Sequence, residues 1–174
     1  MKISVYCGAN VGNNIRFSEE ANNLGKLVAK TKNTLVYGAG KVGLMGIVAD
    51  ASLSLEGYVI GVMPQFLVDR EIAHTNLSEL IIVNTMAERK NIMLESNMYI
   101  ALPGGPGTLE EISEAISNIR LGLRKARCVL LNIDGYYNEF VMYLDKMVEN
   151  GFLTQKDRNI VEVYNSVEEL EANL

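Results

Sequence analysis

A glycine-rich segment beside two carboxylates is the part of this sequence best suited to chemistry. The segment PGGPGTLEE, residues 103–111, follows the hydrophobic run MYIAL and precedes a stretch with helical spacing. Glycines at a strand-to-helix turn let the backbone approach a ligand, and the free amides and dipole of a helix N-terminus bind anions. The segment lacks the Lys-Ser/Thr of a P-loop, so it predicts a site for a monophosphate rather than a triphosphate with magnesium.

Two adjacent glutamates, Glu110 and Glu111, place carboxylates next to this predicted anion site. A capping box, in which Thr108 caps the helix and Glu111 completes the reciprocal bond, explains one of them structurally. The alternative is a catalytic carboxylate that faces the ligand. Successive helix residues point about 100° apart, so we expect only one of the two to face the pocket squarely. The spacing leaves open which one.

Two basic residues, Arg89 and Lys90, precede the glycine segment by one helix and one strand. Thr85 and Glu88 have the spacing of a capping box, which predicts a helix that begins near Met86. Lys90 interrupts the apolar face of this helix, and a partly buried cation near the carboxyl end of a strand favours an anionic ligand. The alternative is a solvated pair whose aliphatic stems lie along the protein surface.

The hydrophobic pattern predicts the scaffold that brings these residues together. Short apolar runs alternate with longer stretches of helical spacing, and the runs are ISVYC, TLVYG, GYVIGVM, LIIVN, MYIALP, RCVLLNI and IVEVY. Helices are predicted at about 14–31, 42–55, 86–95, 108–121 and 136–150, with a last one after Ser166. This alternation predicts a doubly wound, Rossmann-like α/β fold with a parallel sheet, in a single domain over residues 1–174. Ligands bind such sheets beyond the carboxyl ends of the strands, where the strand order reverses.

Two further strand-to-helix turns are rich in glycine and are predicted to line the same pocket. The first turn, CGAN, contains Gly8, and the second, residues 38–43, contains Gly40 and spells G-x-G-x-x-G. A dinucleotide site would also need a carboxylate at the end of the next strand to bind the ribose, but YVIGVMP ends without one. Tight packing through Gly43 and Gly46 therefore explains the fingerprint, and the turn is still compatible with a mononucleotide pocket.

Composition argues against several other classes of function. The formal charge of −5 argues against a nucleic-acid partner, and the absence of an 18-residue apolar run argues against a membrane span. Cys7 and Cys128 each lie in a hydrophobic run, which predicts buried free thiols in a reducing compartment and no metal site. The N-terminus reads as a strand rather than a signal peptide, so we expect a cytoplasmic protein.

Four segments together resemble a known family. PGGPGTLEE at 103–111, YGAGKVGLMG at 37–46, AERK at 87–90 and LLNIDGYYNEF at 130–140 are similar to segments of the LOG (lonely guy) proteins, the cytokinin riboside 5′-monophosphate phosphoribohydrolases. The resemblance implies hydrolysis of the N-glycosidic bond of an adenine-type nucleoside 5′-monophosphate, without a metal or organic cofactor. It also implies a homodimer. Such proteins often carry the label lysine decarboxylase, but no lysine here lies in a recognisable pyridoxal-phosphate setting.

The resemblance also assigns roles by position. Arg89 and Glu111 correspond to the catalytic pair. Substrate contacts carry over to Glu71, Lys90, Glu110, Ser117 and the loop formed by Gly105, Pro106, Gly107 and Thr108, to which the glycine-turn argument adds Gly8, Gly40 and Gly104. The sequence departs from the family at Ala9-Asn10, where two serines are common, and at Ala39, where glycine is common; both concern the shape of the base or ribose pocket.

The residue types suit this reaction. A carboxylate can stabilise the oxocarbenium character of the ribose or activate the attacking water. Arg89 stays protonated, so it suits an electrostatic role rather than that of a general acid. The group that protonates the leaving base is open, and His74, the single histidine, is interpreted as a surface or loop residue.

Two other functions stay under consideration. One is a non-catalytic nucleotide or pterin carrier that resembles molybdenum-cofactor carrier proteins, and the other is an NAD-binding module. The combination of Arg89, Lys90 and Glu111 favours the enzyme, because phosphate binding alone does not require a carboxylate beside the glycine loop. Whether the substrate is a prenylated cytokinin nucleotide or AMP is open.

Overall fold

Within the part of the chain that the structure describes, seven parallel strands form one sheet, in the order β4-β3-β2-β1-β5-β6-β7. The computed structural model describes residues 1–68 and 73–174. The strands are β1 (Lys2–Tyr6), β2 (Thr34–Tyr37), β3 (Tyr58–Pro64), β4 (Glu79–Val83), β5 (Met98–Ala101), β6 (Arg127–Leu131) and β7 (Val161–Tyr164). Each of the seven apolar runs forms a strand, which confirms the predicted doubly wound, Rossmann-like α/β fold.

Helices cover both faces of the sheet. They are α1 (Ile15–Lys30), α2 (Gly43–Leu53), α3 (Gln65–Val68), α4 (Met86–Met93), α5 (Pro106–Arg120), α6 (Asn138–Glu149), α7 (Gln155–Arg158) and α8 (Val167–Glu171), with a 3₁₀ turn at Ile133–Gly135. Buried side chains of α1, α2 and α8 pack in one hydrophobic cluster, and those of α4, α5 and α6 pack in a second. Alternate residues of β1, β2, β3, β5 and β6 supply the two clusters, because successive side chains of a strand point to opposite faces. The short helices α3 and α7 were not predicted.

The strand order reverses between β1 and β5. Strands β2, β3 and β4 lie on one side of β1, while β6 and β7 lie beyond β5. The turns after β1 and β5 therefore lie side by side, and the backbone N–H of Gly8 donates to the carbonyl of Pro103 at 3.1 Å. This crevice is where the topology predicts a ligand site.

The helix that follows the glycine segment begins two residues earlier than predicted. Gly105 is its N-cap residue, and Pro106 occupies the first helical turn, where a missing N–H costs nothing. Thr108 is therefore inside the helix, and the predicted capping box of Thr108 with Glu111 is wrong. Neither the Thr108 nor the Glu111 side chain caps the helix, so a capping role does not account for a glutamate at position 111.

The predicted cap of Thr85 at the start of α4 is confirmed, while the returning bond of Glu88 goes to Asn84, the residue before the cap. The Thr85 hydroxyl accepts a hydrogen bond from the N–H of Glu88 at 3.1 Å, and the Glu88 carboxylate accepts one from the N–H of Asn84 at 2.8 Å. The helix begins at Met86, as predicted. These bonds fix the start of α4, and Arg89 and Lys90 are its fourth and fifth residues.

The two cysteines are buried free thiols, as predicted. Burial raises the pKa of Cys128 to about 12 and raises that of Cys7 as well. His74 lies in a loop, one of the two positions predicted for it, and it is buried there, with 3% of its surface exposed. Its Nε2 lies 2.9 Å from a carboxylate oxygen of Asp50, and its Nδ1 accepts from the N–H of Asn76, which explains how a histidine is accommodated there.

Within the described residues, no helix has the length and apolar character needed to cross a membrane.

Candidate active site

A cavity of about 480 Å³ lies at the point where the strand order reverses. The turns after β1, β5 and β6 and the four helices α1, α2, α4 and α5 form its walls. The lining residues are Cys7, Gly8, Ala9, Asn10, Val11, Gly12, Phe17, Leu44, Met45, Met86, Arg89, Pro103, Gly104, Gly105, Gly107, Thr108, Glu111 and Tyr136. The glycine segment after β5 and the two charged residues of the predicted catalytic pair thus share one cavity.

The predicted catalytic pair lies inside the cavity as a close, largely buried ion pair. A guanidinium nitrogen of Arg89 is 3.4 Å from a carboxylate oxygen of Glu111, and the two side chains are only 11% and 10% exposed. Arg89 lies in the first half of α4 and Glu111 in the second turn of α5, so two helices meet over the cavity. The Nε of Arg89 is buried without a hydrogen-bond partner among the described residues.

Gly38, in the turn after β2, leaves room for the Arg89 guanidinium. A Cβ at Gly38 would collide with Nη2 of Arg89. The turn after β2 therefore contributes to the site by the absence of a side chain.

Burial changes the acidity of Glu111. Loss of hydration raises the pKa of its carboxyl group to about 7, the charge of Arg89 opposes this rise, and the nearby charge of Glu110 adds to it. A carboxyl group that titrates near neutral pH in a cavity is typical of an acid–base or charge-stabilising group in an active site.

The neighbouring pair lies outside the cavity. The ammonium group of Lys90 is 2.8 Å from the Glu110 carboxylate and 3.0 Å from that of Glu114. Glu110 is 61% exposed, and neither Lys90 nor Glu110 is among the described residues that line the cavity. The structure therefore answers which of the two adjacent glutamates faces the pocket: it is Glu111.

An uncapped helix N-terminus forms another wall of the cavity. No side chain caps α5, since its N-cap residue is Gly105, and the first-turn amides of Gly107 and Thr108 have no intrahelical partner. A Cβ on Gly105 or Gly107 would meet no atom within 4 Å, so packing does not require glycine at either position. Glycine there instead leaves space for a ligand to reach the amides, as an anion site needs.

The other glycines of the site are required by packing. A Cβ on Gly104 would collide with the Thr108 hydroxyl, and one on Gly43, whose φ is +67°, would collide with Ala9. Gly40 packs against Met45 and is not among the lining residues. The G-x-G-x-x-G segment thus owes at least part of its glycine content to the close packing predicted for it.

The remaining predicted contacts have different positions. Gly8, Gly104, Gly105, Gly107 and Thr108 line the cavity, whereas Pro106 does not, and Ser117 is exposed further along α5. Glu71 lies outside the described residues.

Sequence reasoning missed most of the apolar wall of the cavity. Phe17, Leu44, Met45 and Met86 line it, and Tyr136 closes one side. The first four read as ordinary core residues at helical spacing. Tyr136 had a visible signal, since two adjacent tyrosines follow an Asp-Gly turn, but nothing local predicts that this turn meets the glycine segment.

The fold and the site define a class: Rossmann-like α/β proteins with a ligand cavity at the strand-order reversal, here containing a buried Arg–Glu pair beside a helix N-terminus. A protein-family model described as "possible lysine decarboxylase" matches residues 45–174. The cytokinin riboside 5′-monophosphate phosphoribohydrolase LOG5 of Arabidopsis thaliana is 41% identical over 91% of this chain and 70% of its own length. The Rhodococcoides fascians enzyme of the same description is 40% identical over 95% of this chain and 85% of its own. The chain belongs to this LOG family.

Solved structures with lower sequence identity share the fold. The molybdenum cofactor carrier protein of Chlamydomonas reinhardtii superposes with a TM-score of 0.77 at 23% identity, covering 99% of this chain and 94% of that chain. The molybdenum cofactor binding protein of Rippkaea orientalis gives a TM-score of 0.73 at 22% identity, with 99% and 93% covered. At these identities the match establishes the Rossmann-like fold.

The description as a possible lysine decarboxylase finds no support in the cavity. Pyridoxal-phosphate chemistry uses a lysine as the Schiff-base partner of the cofactor. None of the described residues that line the cavity is a lysine.

Proposed function

We propose that this protein hydrolyses the N-glycosidic bond of adenine-type nucleoside 5′-monophosphates, cytokinin ribotides or AMP, to the free base and ribose 5-phosphate. The observation that carries the proposal is the placement of Glu111 and Arg89 in one cavity with an uncapped helix N-terminus. These groups match the two charged parts of the substrate in the transition state, a phosphate and a developing cation on the ribose. The 40–42% identity to phosphoribohydrolases supports the same reaction.

The 5′-phosphate binds at the start of α5 in this proposal. Backbone amides of Gly107 and Thr108, with that of Gly105, donate to the phosphate oxygens, and the helix dipole favours the negative charge. The open space beside Gly105 and Gly107 supports this assignment, because a phosphate must come within hydrogen-bond distance of the backbone.

Glu111 acts at the sugar. The bond between C1′ and the base nitrogen breaks, its electron pair leaves with the base, and the ribose gains oxocarbenium character that the carboxylate stabilises. A water molecule then bonds to C1′; one of its protons goes to solvent or to Glu111, and the departing base takes up a proton. Arg89 holds a negative group of the substrate or the departing base in position, since its guanidinium does not release a proton.

The other predicted contacts extend this proposal. Lys90 and Glu110 each lie one residue from Arg89 and Glu111, the inner pair, and their charges shift the pKa of Glu111. Glu71, Ser117, Pro106, Gly8 and Gly40 stay predicted substrate contacts on the strength of the family resemblance. We also infer a homodimer, from the family resemblance, and a cytoplasmic location, for which the two buried free thiols are the support.

Chromatography for released base tests the reaction. The purified protein is incubated with AMP, isopentenyladenosine monophosphate and their unphosphorylated ribosides, with Glu111→Gln as the control variant. We expect free base from the monophosphates alone, and almost none from the variant. Binding of nucleotides without release of base from any of them would contradict the proposal and favour a carrier.

A further inference from the structure

The turn between β6 and α6 contacts the proposed phosphate loop through Tyr136. The Tyr136 hydroxyl donates a hydrogen bond to the carbonyl oxygen of Gly104 at 2.5 Å. Its ring lines the cavity and meets the ring of Phe17 edge-to-face, with centroids 5.6 Å apart and an interplanar angle of 79°. Tyr136 thus contacts two parts of the cavity wall, the glycine segment and α1.

The bond to Gly104 fixes more than one carbonyl. The C=O of Gly104 and the N–H of Gly105 belong to one planar peptide unit, and in a trans peptide they point in opposite directions. Glycines on both sides allow this unit to rotate at little steric cost. A hydrogen bond that holds the Gly104 carbonyl therefore also sets the direction of the Gly105 N–H, which belongs to the proposed phosphate site.

The adjacent tyrosine holds the segment that leads into this loop. The hydroxyl of Tyr137, a buried residue, donates to the carbonyl of Leu102 at 2.6 Å. Two tyrosines from one turn thus hold two carbonyls that lie two residues apart, at the end of β5 and in the loop that follows. The rings of Tyr136 and Tyr137 also meet edge-to-face at 5.0 Å.

The tyrosine turn is itself rigidly held. The Asn132 side chain accepts from the N–H of Tyr137 at 2.7 Å and donates to Asn138 at 2.9 Å. Asp134, at a φ of +50°, accepts from Asn14 at 2.8 Å and forms an ion pair with Arg16 at 3.0 Å. These bonds tie the turn to the start of α1, so Tyr136 approaches Gly104 from a fixed support.

We propose that Tyr136 is a positioning residue that orients the Gly105 amide for the substrate phosphate. The inference rests on the proposed function, because it takes the start of α5 as the phosphate site. Tyr136 acts through the loop, so its hydroxyl affects binding of the phosphate and not of the nucleoside part.

The test compares Tyr136→Phe, which removes the hydroxyl and keeps the ring, with Tyr143→Phe. Tyr143 is 57% exposed on α6 and is not among the cavity residues, so it controls for the same chemical change elsewhere. Calorimetry measures the affinities of AMP, inorganic phosphate and adenosine. AMP titrations use proteins that also carry Glu111→Gln, in which AMP is not expected to be consumed.

We expect Tyr136→Phe to weaken AMP and inorganic phosphate by the same factor, about 3- to 10-fold, as the loss of one hydrogen bond does. Adenosine affinity should not change, and Tyr143→Phe should match the parent protein for all three ligands. Unchanged affinity for AMP and phosphate would overturn the inference, as would an equal loss of affinity for adenosine.

The outcomes separate this inference from the proposed function. If the parent protein releases no base but Tyr136→Phe still weakens AMP and phosphate selectively, the reaction is wrong and the positioning role stands. If the parent protein releases base and Tyr136→Phe binds all three ligands normally, the reaction stands and the positioning role is wrong. A parent protein that binds neither AMP nor phosphate overturns the positioning role.

Discussion

Two ion pairs join the same two helices and lie in opposite environments. Arg89 of α4 and Glu111 of α5 meet inside the cavity, where both side chains are about nine-tenths buried. One residue away on each helix, Lys90 meets Glu110 outside the cavity, with side chains that are 18% and 61% exposed. The chemical types are the same, a cation and a carboxylate, and the sequence offers little to distinguish them.

The two pairs differ in how much hydration their charges lose. Exposed pairs form readily but stabilise little, because water screens both charges. A buried pair loses hydration that its mutual attraction only partly replaces, and the raised pKa of Glu111 reports that imbalance. A helix advances about 100° per residue, so a single step along each helix moves the side chains from the cavity to its outside.

Loss of the inner carboxylate should have the largest effect. We expect Glu111→Gln to lower kcat by about 100- to 1000-fold while nucleotide binding is retained, because charge stabilisation in the transition state is lost and the shape is kept. Steady-state rates of base release and AMP calorimetry measure the two quantities. The matched variant Glu110→Gln should keep most of the turnover; if it lost as much as Glu111→Gln, the distinction between the pairs would fail.

Displacement of the Arg89 guanidinium should have the second largest effect. Gly38→Ala places a methyl group against Nη2 of Arg89, and we expect kcat/KM to fall by about 10- to 100-fold as the group moves away from its working position. A double-mutant cycle checks the cause. In an Arg89→Met background, Gly38→Ala should reduce kcat/KM no further, and an additive loss would show that Gly38 acts on something else.

The pH profile links the two pairs. If the ionised form of Glu111 is active, kcat/KM should rise with pH and level off above about 7, the pKa of this carboxyl group. Glu110 raises that pKa and Lys90 lowers it. Glu110→Gln should therefore move the rise to lower pH, and Lys90→Ala should move it to higher pH.

The substrate sets a necessary control for this profile. A phosphate monoester has its own second pKa of about 6, which contributes a step to the rate profile in every variant. Only the step that moves in opposite directions in the two variants belongs to Glu111. A fall in kcat/KM above neutral pH would instead indicate that the protonated carboxyl group is the active form.

Removal of the outer cation should have the smallest effect. We expect Lys90→Ala to raise KM for a monophosphate by about 3- to 10-fold with little change in kcat, and to change the free energy of unfolding by at most about 1 kcal/mol. Initial rates and chemical denaturation measure these changes. An unchanged KM would show that the charge of Lys90 does not contribute to phosphate binding from outside the cavity.

The order and type of the main elements could be predicted from the sequence. All seven strands appear as apolar runs, and the cap of Thr85 fixes the start of α4. These features depend on neighbours within a few residues, so local pattern is sufficient. The same local rules predicted a cap at Thr108, but the helix begins two residues earlier, at Pro106. The four-residue helices α3 and α7 are too short for a periodic pattern to reveal.

The composition of the cavity was decided by tertiary structure. The sequence predicted that Arg89, Glu111 and the glycine segment belong to one site, because strand ends in a parallel sheet share one edge. It could not choose between Glu110 and Glu111, since that depends on the rotation of α5 against α4. Nor could it show that Gly105 and Gly107 face open space or that Tyr136 reaches Gly104, 32 residues away. Local sequence sets backbone preference and charge, whereas burial, pKa and contact across the cavity arise only when distant segments pack together.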